Sequence, residues 1–426
     1  MDAAAPLGID PLLDDPKTRI VVCCGSGGVG KTTTAAALGL RAAERGRKVV
    51  VLTIDPARRL AQSMGIDSLD NTPRRVKDVE GDGELHAMML DMKRTFDEIV
   101  EAHADPERSR AILSNPFYQS LSAGFAGTQE YMAMEKLGQL RARDEWDLIV
   151  VDTPPSRSAL DFLDAPKRLG SFLDGKFIRL LMAPAKMGGR AGMKFLNVGM
   201  SMMTGTLGKL LGGQLLRDVQ TFVAAMDTMF GGFRTRADAT YRLLQAPGTA
   251  FLVVAAPERD ALREAAYFVE RLAADSMPLA GLVLNRVHGS GAARLSAERA
   301  LAAAEHLDED RGEGRGENLV DGRIVDQGSG KAEDRGTGGS SPEAPSPTGS
   351  EDGVSVDRLT AGLLRLHAER MQVLARERRT RDRFTALHPE VPVAEVAALP
   401  GDVHDLAGLR AIGERLAAQE ETAGAL

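Results

Sequence analysis

Cysteine, aromatic residues and long apolar runs are all scarce in this chain of 426 residues. Its only two cysteines, Cys23 and Cys24, are adjacent, so on a strand they would point to opposite faces and could not form a metal pair. We expect both to be buried strand residues in a reducing compartment. No apolar run approaches the roughly 18 residues needed to span a bilayer, and the N-terminal segment lacks signal-peptide order. The sequence therefore predicts a cytoplasmic protein that is not an integral membrane protein.

An excess of positive charge is also absent, because the formal net charge is -7 at pH 7. Binding to a nucleic-acid backbone usually requires a basic surface. We therefore expect no nucleic-acid partner. The hydrophobic content of 43% is sufficient for one large or two ordinary domains.

The chain does contain a series of nearly continuous apolar runs. They lie at 19–24, 48–55, 147–153, 249–256 and 280–287. Such runs, without alternation, are typical of parallel strands that are buried on both faces. Helical patterns lie between several of them, such as 32–46, which ends at Gly46. The pattern predicts an α/β fold with a doubly wound, mainly parallel sheet.

Residues 157–245 differ in character, because they have helical patterns without a strand-like run and hold eight of the 17 methionines. Glycine interrupts the middle of this segment, at a cost of about 1 kcal/mol per helix position relative to alanine. One interpretation is an ordinary helical subdomain with a loose core. The other is a mobile, adaptable apolar surface, since methionine repacks around varied partners.

Residues 306–356 are rich in Gly, Ser, Pro, Glu and Asp, and their composition predicts a disordered insertion. The segment 357–384 follows, with an Arg-rich turn near its end. Its apolar residues recur close to helical spacing, at Leu359, Leu363, Leu366, Met371 and Leu374. The usual explanation is a helix packed on the core with a solvated charged face. An arm that binds nucleic acid is the alternative.

The run GSGGVGKT at 25–32 satisfies G-x-x-x-x-G-K-[ST], follows a predicted strand and opens a predicted helix. Backbone N–H groups of such a loop turn toward phosphate oxygens, here those of Gly25, Ser26, Gly27, Gly28, Val29 and Gly30. We expect Lys31 to reach the β- and γ-phosphates, Thr32 to bind Mg²⁺ and Thr33 to donate to the α-phosphate. The predicted cofactors are therefore ATP and Mg²⁺.

Two aspartates end apolar runs at the edge of the sheet where ligands of open α/β folds bind. Asp152 ends DLIVVD, where a carboxylate meets the metal beside the loop, so we predict it as a metal ligand together with Thr32. Asp55 ends VVVLTID. Either aspartate could instead cap the next helix, but two of them at two strand ends favour a catalytic arrangement.

Four stretches together carry a family resemblance: GSGGVGKTTTAAA, TIDPARRLAQSMGI, VVDTPPSRSALDFLDAP and LVLNRV. They resemble the P-loop ATPases that include the arsenite-pump ATPases and the eukaryotic chaperones for tail-anchored membrane proteins. The resemblance covers 18–66, 145–166, 249–287 and, more weakly, 390–415. It implies a SIMIBI-type fold with an inserted helical subdomain.

The resemblance also implies roles for particular residues. Asp55 would position or deprotonate the attacking water, and Lys31 would act with it in catalysis. Asp152 would lead the switch II segment, and Asn285 would contact adenine. The loop VAALPGDVHDLAGL resembles the late segment that closes over the base, which implies that Leu399 and Pro400 pack near it.

The sequence departs from the family pattern at four places. Ser26 replaces the signature lysine that crosses the dimer interface to the partner's phosphates, and Arg58 replaces the switch I histidine. SRS at 156–158 replaces T-G-H in switch II. Cys23 and Cys24 fit neither the arsenite-binding cysteines of the pump nor the C-x-x-C zinc pair of the chaperone.

These features divide the chain into seven predicted segments. A nucleotide-binding domain is formed by 18–156, 246–305 and 357–418, the last with the C-terminal helices and the adenine loop. The Met/Gly-rich helical subdomain at 157–245 and the disordered insertion at 306–356 interrupt it. A flexible N-terminus at 1–17 and a flexible tail at 419–426 flank it.

The function predicted from the sequence is that of an ATP-binding and ATP-hydrolysing subunit of a dimer. Its opening and closing would be coupled to a protein or membrane-linked client through the helical subdomain. The dimer would be a homodimer or a heterodimer with a paralogue that keeps the signature lysine. The alternative is a slowly hydrolysing interaction subunit. Arsenite efflux is disfavoured by the missing cysteines, and a MinD- or ParA-like positioning ATPase by a C-terminus without a basic membrane helix.

Overall fold

The computed structural model describes residues 6–54, 58–116, 118–119, 128–154, 232, 235–316 and 351–418. The chain forms two compact units. One consists of Met1–Val287 with Thr380–Leu426, and the other of His288–Arg379. No helix among the described residues is both long and apolar enough to cross a membrane.

The first unit is built on an eight-stranded sheet with the order β3-β4-β2-β5-β1-β6-β7-β8. Its strands are β1 (Ile20–Cys24), β2 (Lys48–Thr53), β3 (Arg74–Arg75), β4 (Glu84–Met89), β5 (Leu148–Asp152), β6 (Thr249–Ala255), β7 (Leu279–Val287) and β8 (Val393–Ala397). All neighbouring strands are parallel except β3 and β4. Each of the five predicted apolar runs is a strand, and the predicted mainly parallel sheet is confirmed.

The helices follow in chain order. They are α1 (Ile9–Asp14), α2 (Lys31–Glu44), α3 (Arg58–Ser63), α4 (Met92–His103), α5 (Pro106–Leu113), α6 (Thr128–Arg143), α7 (Arg259–Ala274), α8 (Ala297–Gly316), α9 (Glu351–Leu387) and α10 (Leu406–Ala417). Gly46 ends α2 as predicted, with a φ of 94° and its N–H bonded to the carbonyl oxygen of Ala43 at 2.9 Å.

Helices cover both faces of the sheet, as a doubly wound fold requires. On one face Val21 and Cys23 belong to a buried cluster with residues of α1, α2 and α10. On the other face Val22 and Cys24 belong to a second cluster with residues of α4, α6 and α7. Both cysteines are therefore buried, and they point to opposite faces as expected.

The N-terminal segment differs from the prediction of flexibility at 1–17, because residues 6–17 are ordered and include α1. The side chains of Ile9 and Leu13 are fully buried. Asp10 accepts a paired hydrogen bond from the guanidinium of Arg41 at 2.5 and 2.6 Å, and Asp14 pairs with Arg45. Two buried apolar side chains and a bidentate ion pair offset the entropy of ordering so short a helix.

Little of the predicted helical subdomain at 157–245 lies in the described part of the chain. Residues 235–245 are helical there. The predicted tail at 419–426 lies outside the described residues.

The second unit contains α8 and most of α9, which an ion pair between Asp308 and Arg365 joins. The predicted boundaries at 305 and 357 both fall inside this unit. Helix α8 continues to Gly316 and α9 begins at Glu351, so both extend into the range expected to be disordered. Once a helix is nucleated, each added residue gains a hydrogen bond at little further cost, which composition alone does not reveal. Residues 317–350 lie outside the described part.

The prediction of a helix after 357 is confirmed. The prediction that its leucines pack on a core is wrong for three of them. Leu359, Leu363 and Leu366 are exposed, whereas Leu374 is buried. The buried face of α9 instead includes the small residues Ala361 and Ala368. Helical spacing identifies side chains that share a face, and it does not show which face is covered.

Candidate nucleotide site

The glycine-rich loop lies between β1 and α2, at the carboxyl edge of the sheet. Gly30 takes a φ of 95°, in the left-handed region that favours glycine. A methyl group at Gly30 would lie 2.2 Å from the amide nitrogen of Asn285. Glycine is therefore required here both by the backbone and by the neighbouring side chain.

The loop leads directly into the first turn of α2. The first helical hydrogen bond runs from the N–H of Thr34 to the carbonyl oxygen of Gly30 at 2.9 Å. The N–H groups of Lys31, Thr32 and Thr33 precede that bond and lie at the positive end of the helix. This is the arrangement in which helix N-termini bind phosphate groups.

Lys31 is buried although it carries a charge. Its ammonium group donates a hydrogen bond to the carbonyl oxygen of Ser26 at 2.8 Å. Ser26 is half-buried, and it lies in the loop that Lys31 closes. The lysine is thus held at the loop rather than extended into solvent.

Asp152 lies at the point where β1, β2 and β5 end, opposite Cys23 in one ladder and Thr53 in the other. It is 1% exposed. Its Oδ2 accepts hydrogen bonds from Oγ1 of Thr32 at 2.7 Å and from Oγ1 of Thr53 at 2.9 Å. The two residues predicted to bind metal are therefore in direct contact.

Thr53 is a residue that the sequence analysis missed. It lies two positions before Asp55, at the end of β2, and it is fully buried. A threonine at the end of an apolar run, opposite an acidic strand end in a parallel pair, is the signal that could have identified it. Its hydroxyl donates to the same carboxylate oxygen as the hydroxyl of Thr32.

The residue before Asp55 is anchored on both sides. The N–H of Ile54 donates to the carbonyl oxygen of Asp152 at 3.1 Å, and Gln129 on α6 donates to the carbonyl oxygen of Ile54 at 3.0 Å. Asp55 itself lies outside the described residues, as do 156–158. Arg58 begins α3.

Asn285 lies near the end of β7 and is buried against the loop. Its side-chain amide donates to the carbonyl oxygen of Val29 at 2.8 Å, and its Oδ1 accepts from the N–H of Arg286 at 2.9 Å. The ladder between β7 and β8 is irregular here, and Arg286 has a φ of 61°. The predicted adenine contact therefore also fastens β7 to the phosphate loop.

The predicted base-covering loop begins at the same edge of the sheet. The N–H of Ala398 donates to the carbonyl oxygen of Val287 at 2.9 Å, directly beyond Asn285. Leu399 is half-buried and packs against the cluster that contains α2, while Pro400 is exposed. Both residues are thus placed at the edge where the loop lies.

The cysteines next to the loop are unsuited to thiolate chemistry. Burial raises the pKa of the Cys24 thiol to about 12, and burial together with the charge of Asp152 raises the pKa of the Cys23 thiol well above its ordinary value. Both thiols therefore stay protonated at neutral pH.

Helix α6 contacts both the residue that follows β2 and the helical segment at 235–245. Besides Gln129 at its first turn, it carries Glu135, which accepts hydrogen bonds from Arg236 at 2.7 Å and from Tyr131 at 3.0 Å. The side chain of Glu135 is 3% exposed, so the pair with Arg236 is largely shielded from water.

Comparison with known proteins identifies the family. The family model described as anion-transporting ATPase, ArsA_ATPase, matches residues 18–299. The protein named ATPase GET3 from Malassezia globosa is 31% identical over 169 residues, which are 40% of this chain and 49% of that protein. ATPase GET3 from Podospora anserina is 24% identical over 288 residues, 67% of this chain and 78% of that protein. ATPase get3 from Schizosaccharomyces pombe is 30% identical over 162 residues, 38% of this chain and 47% of that protein.

The match spans about half the length of the Malassezia and Schizosaccharomyces relatives. The family model covers more than half of this chain, including the loop, both aspartates and Asn285. The resemblance inferred from the motifs is confirmed, and the chain belongs to the ArsA family of anion-transporting ATPases.

Proposed function

We propose that this chain binds ATP with Mg²⁺ at the loop of residues 25–32 and hydrolyses it to ADP and phosphate. The observation that carries the proposal is the contact of Thr32 with the buried carboxylate of Asp152 at 2.7 Å. It joins the start of the loop's helix to the ends of three parallel strands, where ligands of α/β folds bind.

The donor set at this contact fits Mg²⁺, which prefers carboxylate and hydroxyl oxygens. Thr32 and Asp152 would hold the ion, and Thr53 would keep the carboxylate in its orientation. When bound, Mg²⁺ neutralises negative charge on the phosphate oxygens.

The remaining nucleotide contacts follow from the positions of the predicted residues. The loop N–H groups and the first turn of α2 would bind the phosphates, with Thr33 at the α-phosphate. Lys31 would exchange the carbonyl oxygen of Ser26 for phosphate oxygens. Asn285, Leu399 and Pro400 would contact adenine at the same sheet edge.

Hydrolysis requires a group that orients and deprotonates the attacking water. We assign this role to Asp55, which directly follows Ile54. The assignment is supported by the residue before it, because the backbone of Ile54 is hydrogen-bonded to the backbone of Asp152 and to the side chain of Gln129.

Two chains are proposed to form the working unit, because each carries a single phosphate loop. Their opening and closing with ATP would be coupled to a protein or membrane-linked client through the Met/Gly-rich segment at 157–245. Helix α6 supports this coupling, because it contacts Ile54 at one end and Arg236 two turns later.

A second candidate function is a slowly hydrolysing interaction subunit paired with a paralogue that has a lysine at the position of Ser26. Ser26 is the observation that favours it, since this loop has no second lysine to reach a partner's phosphates. In such a heterodimer the paralogue's lysine would complete the site formed by Lys31 and Thr32. In a homodimer Arg58 or Arg157 would have to supply that charge.

Single-turnover hydrolysis of ATP by the purified chain tests the proposal. Asp55→Asn should retain ATP binding and lose turnover by about 10²- to 10⁴-fold, the range for a general base. Asp91→Asn, the same change at the exposed cap of α4, should leave turnover unchanged. Parental turnover in the Asp55→Asn variant would refute the assigned role.

ATP turnover of the chain, alone and mixed with the paralogue, distinguishes the heterodimer from the homodimer. A heterodimer predicts slow turnover of the chain alone, which rises on addition of the lysine-bearing paralogue. Full activity alone, unchanged by Ser26→Lys and lost on Arg58→Ala or Arg157→Ala, would instead establish the homodimer.

A further inference from the structure

Helix α9 exposes a row of apolar side chains within the second unit, here named the stripe. The exposed fractions of its five apolar members range from 36% to 66%. The stripe consists of Val356, Leu359, Leu363, Leu366, Arg370 and Val373. Single exposed apolar residues are common on protein surfaces, but a continuous row of this length indicates an interaction surface.

The spacing of the stripe is that of a coiled-coil seam. Successive members are 3, 4, 3, 4 and 3 residues apart, which is the a/d pattern of a heptad repeat. Within the second unit, the residues that α9 buries are Ala361, Ala368 and Leu374, none of which belongs to the stripe, although Leu374 adjoins its last member. The stripe therefore lies on a second face of α9, with the period that fits another helix.

The order of residues along the stripe points to the identity of that helix. Two copies of α9 can pair antiparallel, with the two-fold axis between Leu363 and Leu366. Leu363 of each copy then lies level with Leu366 of the other. The same axis brings Val356 level with Val373 and Leu359 level with Arg370. Every apolar member then meets an apolar partner or the aliphatic stem of an arginine.

We propose that the stripe binds the stripe of a second copy of this chain, antiparallel and in this register. A parallel pair in register would instead place Arg370 against itself, and like charges across a contact oppose association. The antiparallel pair is isologous, as two-fold symmetry requires. The inference does not depend on ATP hydrolysis, and it adds an interface to whichever dimer the nucleotide sites form.

The interface is short. The stripe spans 18 residues of helix, or about 27 Å. Contacts of this size are at the low end for specific interfaces, so the pairing should depend on protein concentration. It would connect two nucleotide-binding dimers when the chain is concentrated, and release them when it is dilute.

Cysteine cross-linking of the full-length chain tests the register. Val356→Cys and Val373→Cys are made as separate variants, mixed and oxidised without nucleotide. The mixture should form a disulfide-linked dimer. Each variant alone should not, because the two copies of the same cysteine would lie about 25 Å apart along an antiparallel pair. The native Cys23 and Cys24 are fully buried with raised pKa values, so they do not compete.

A mixture of Arg358→Cys and Gln372→Cys is the matched control. Both residues are exposed and nearly as far apart on α9, but they lie off the stripe, so they should not cross-link. Cross-linking of Val356→Cys with itself would establish a parallel pair and overturn the proposal. Equal cross-linking in the control mixture would also overturn it, since the contact would then be random collision.

Sedimentation over a range of concentrations provides a second readout. Measured without nucleotide, the double variant Leu363→Glu, Leu366→Glu should lose the association that the stripe adds in the parental chain, and Arg358→Glu, Gln372→Glu should retain it. Both double changes are at exposed positions, so both variants should fold. If the first double variant associates like the parental chain, a second copy is not the partner of the stripe.

Discussion

The contact of Thr53 with Asp152 allows a quantitative prediction about the metal site. Thr53→Val keeps the shape of the side chain and removes only the hydroxyl that donates to Oδ2 of the carboxylate. The carboxylate stays buried, with Thr32 as the other hydroxyl donor to that oxygen. The change therefore removes a hydrogen bond to a buried charge.

Hydrogen bonds to charged groups contribute about 1.5–3 kcal/mol, against about 0.5–1.5 kcal/mol for a neutral pair. Thr95→Val is the matched control, because Thr95 is equally buried but donates to the neutral amide oxygen of Asn71 at 3.0 Å. We expect Thr53→Val to lower the free energy of unfolding by about 1 kcal/mol more than Thr95→Val does.

The same variant should weaken the metal site. Loss of a partner that orients a metal ligand typically costs about 10- to 100-fold in metal affinity or activity. ATP turnover is measured as a function of Mg²⁺ concentration, alongside urea unfolding of both variants. The reasoning is refuted if the two variants unfold alike and if Thr53→Val has the parental Mg²⁺ dependence.

Three further predictions concern the loop, the cysteines and the chain between the two long helices. Gly30→Ala should lower the free energy of unfolding by at least about 1–2 kcal/mol, because alanine is strained at this positive φ. It should also abolish ATP binding, because the added methyl would meet Asn285. Parental ATP binding would contradict this. Since burial raises the pKa of the Cys24 thiol to about 12, the folded state favours the neutral thiol, so stability is kept below about pH 9 and falls above it. A thermal melt series from neutral to alkaline pH measures this, and a Cys24→Ala variant with the same alkaline loss would contradict it. Replacing 317–350 by a short Gly/Ser linker should leave the melting temperature and ATP binding nearly unchanged, since loop closure changes by about 0.6 kcal/mol per doubling of length. A large drop in melting temperature would show that this segment packs on the rest of the chain.

The buried centre of the sheet was predictable because its strands are continuous apolar runs. Strand β4 (ELHAMM) and strand β8 (VAEVA) were missed, since each alternates polar with apolar residues in a short segment. Helix α1 was missed for a related reason, because its stability comes from burial of Ile9 and Leu13 and from ion pairs with α2. Those are contacts between segments distant in sequence, which a local pattern does not contain.

The candidate site was predictable where a motif fixes the backbone, as it does for Lys31 and Thr32. The residues that support the motif were not, because Thr53 and Gln129 reach it only through the register of the strands and the packing of α6. The stripe on α9 shows the same limit. Its period was visible in the sequence, but its exposure depends on what the rest of the unit covers.

The central claim is that Asp152 and Thr32 hold Mg²⁺ for ATP bound at the loop. Equilibrium binding of ATP to the parental chain and to Asp152→Asn, each with and without Mg²⁺, tests it most directly. Mg²⁺ should strengthen ATP binding to the parental chain, and the Asp152→Asn variant should lose that increase while retaining binding without the metal. An equal effect of Mg²⁺ on both proteins would contradict the account.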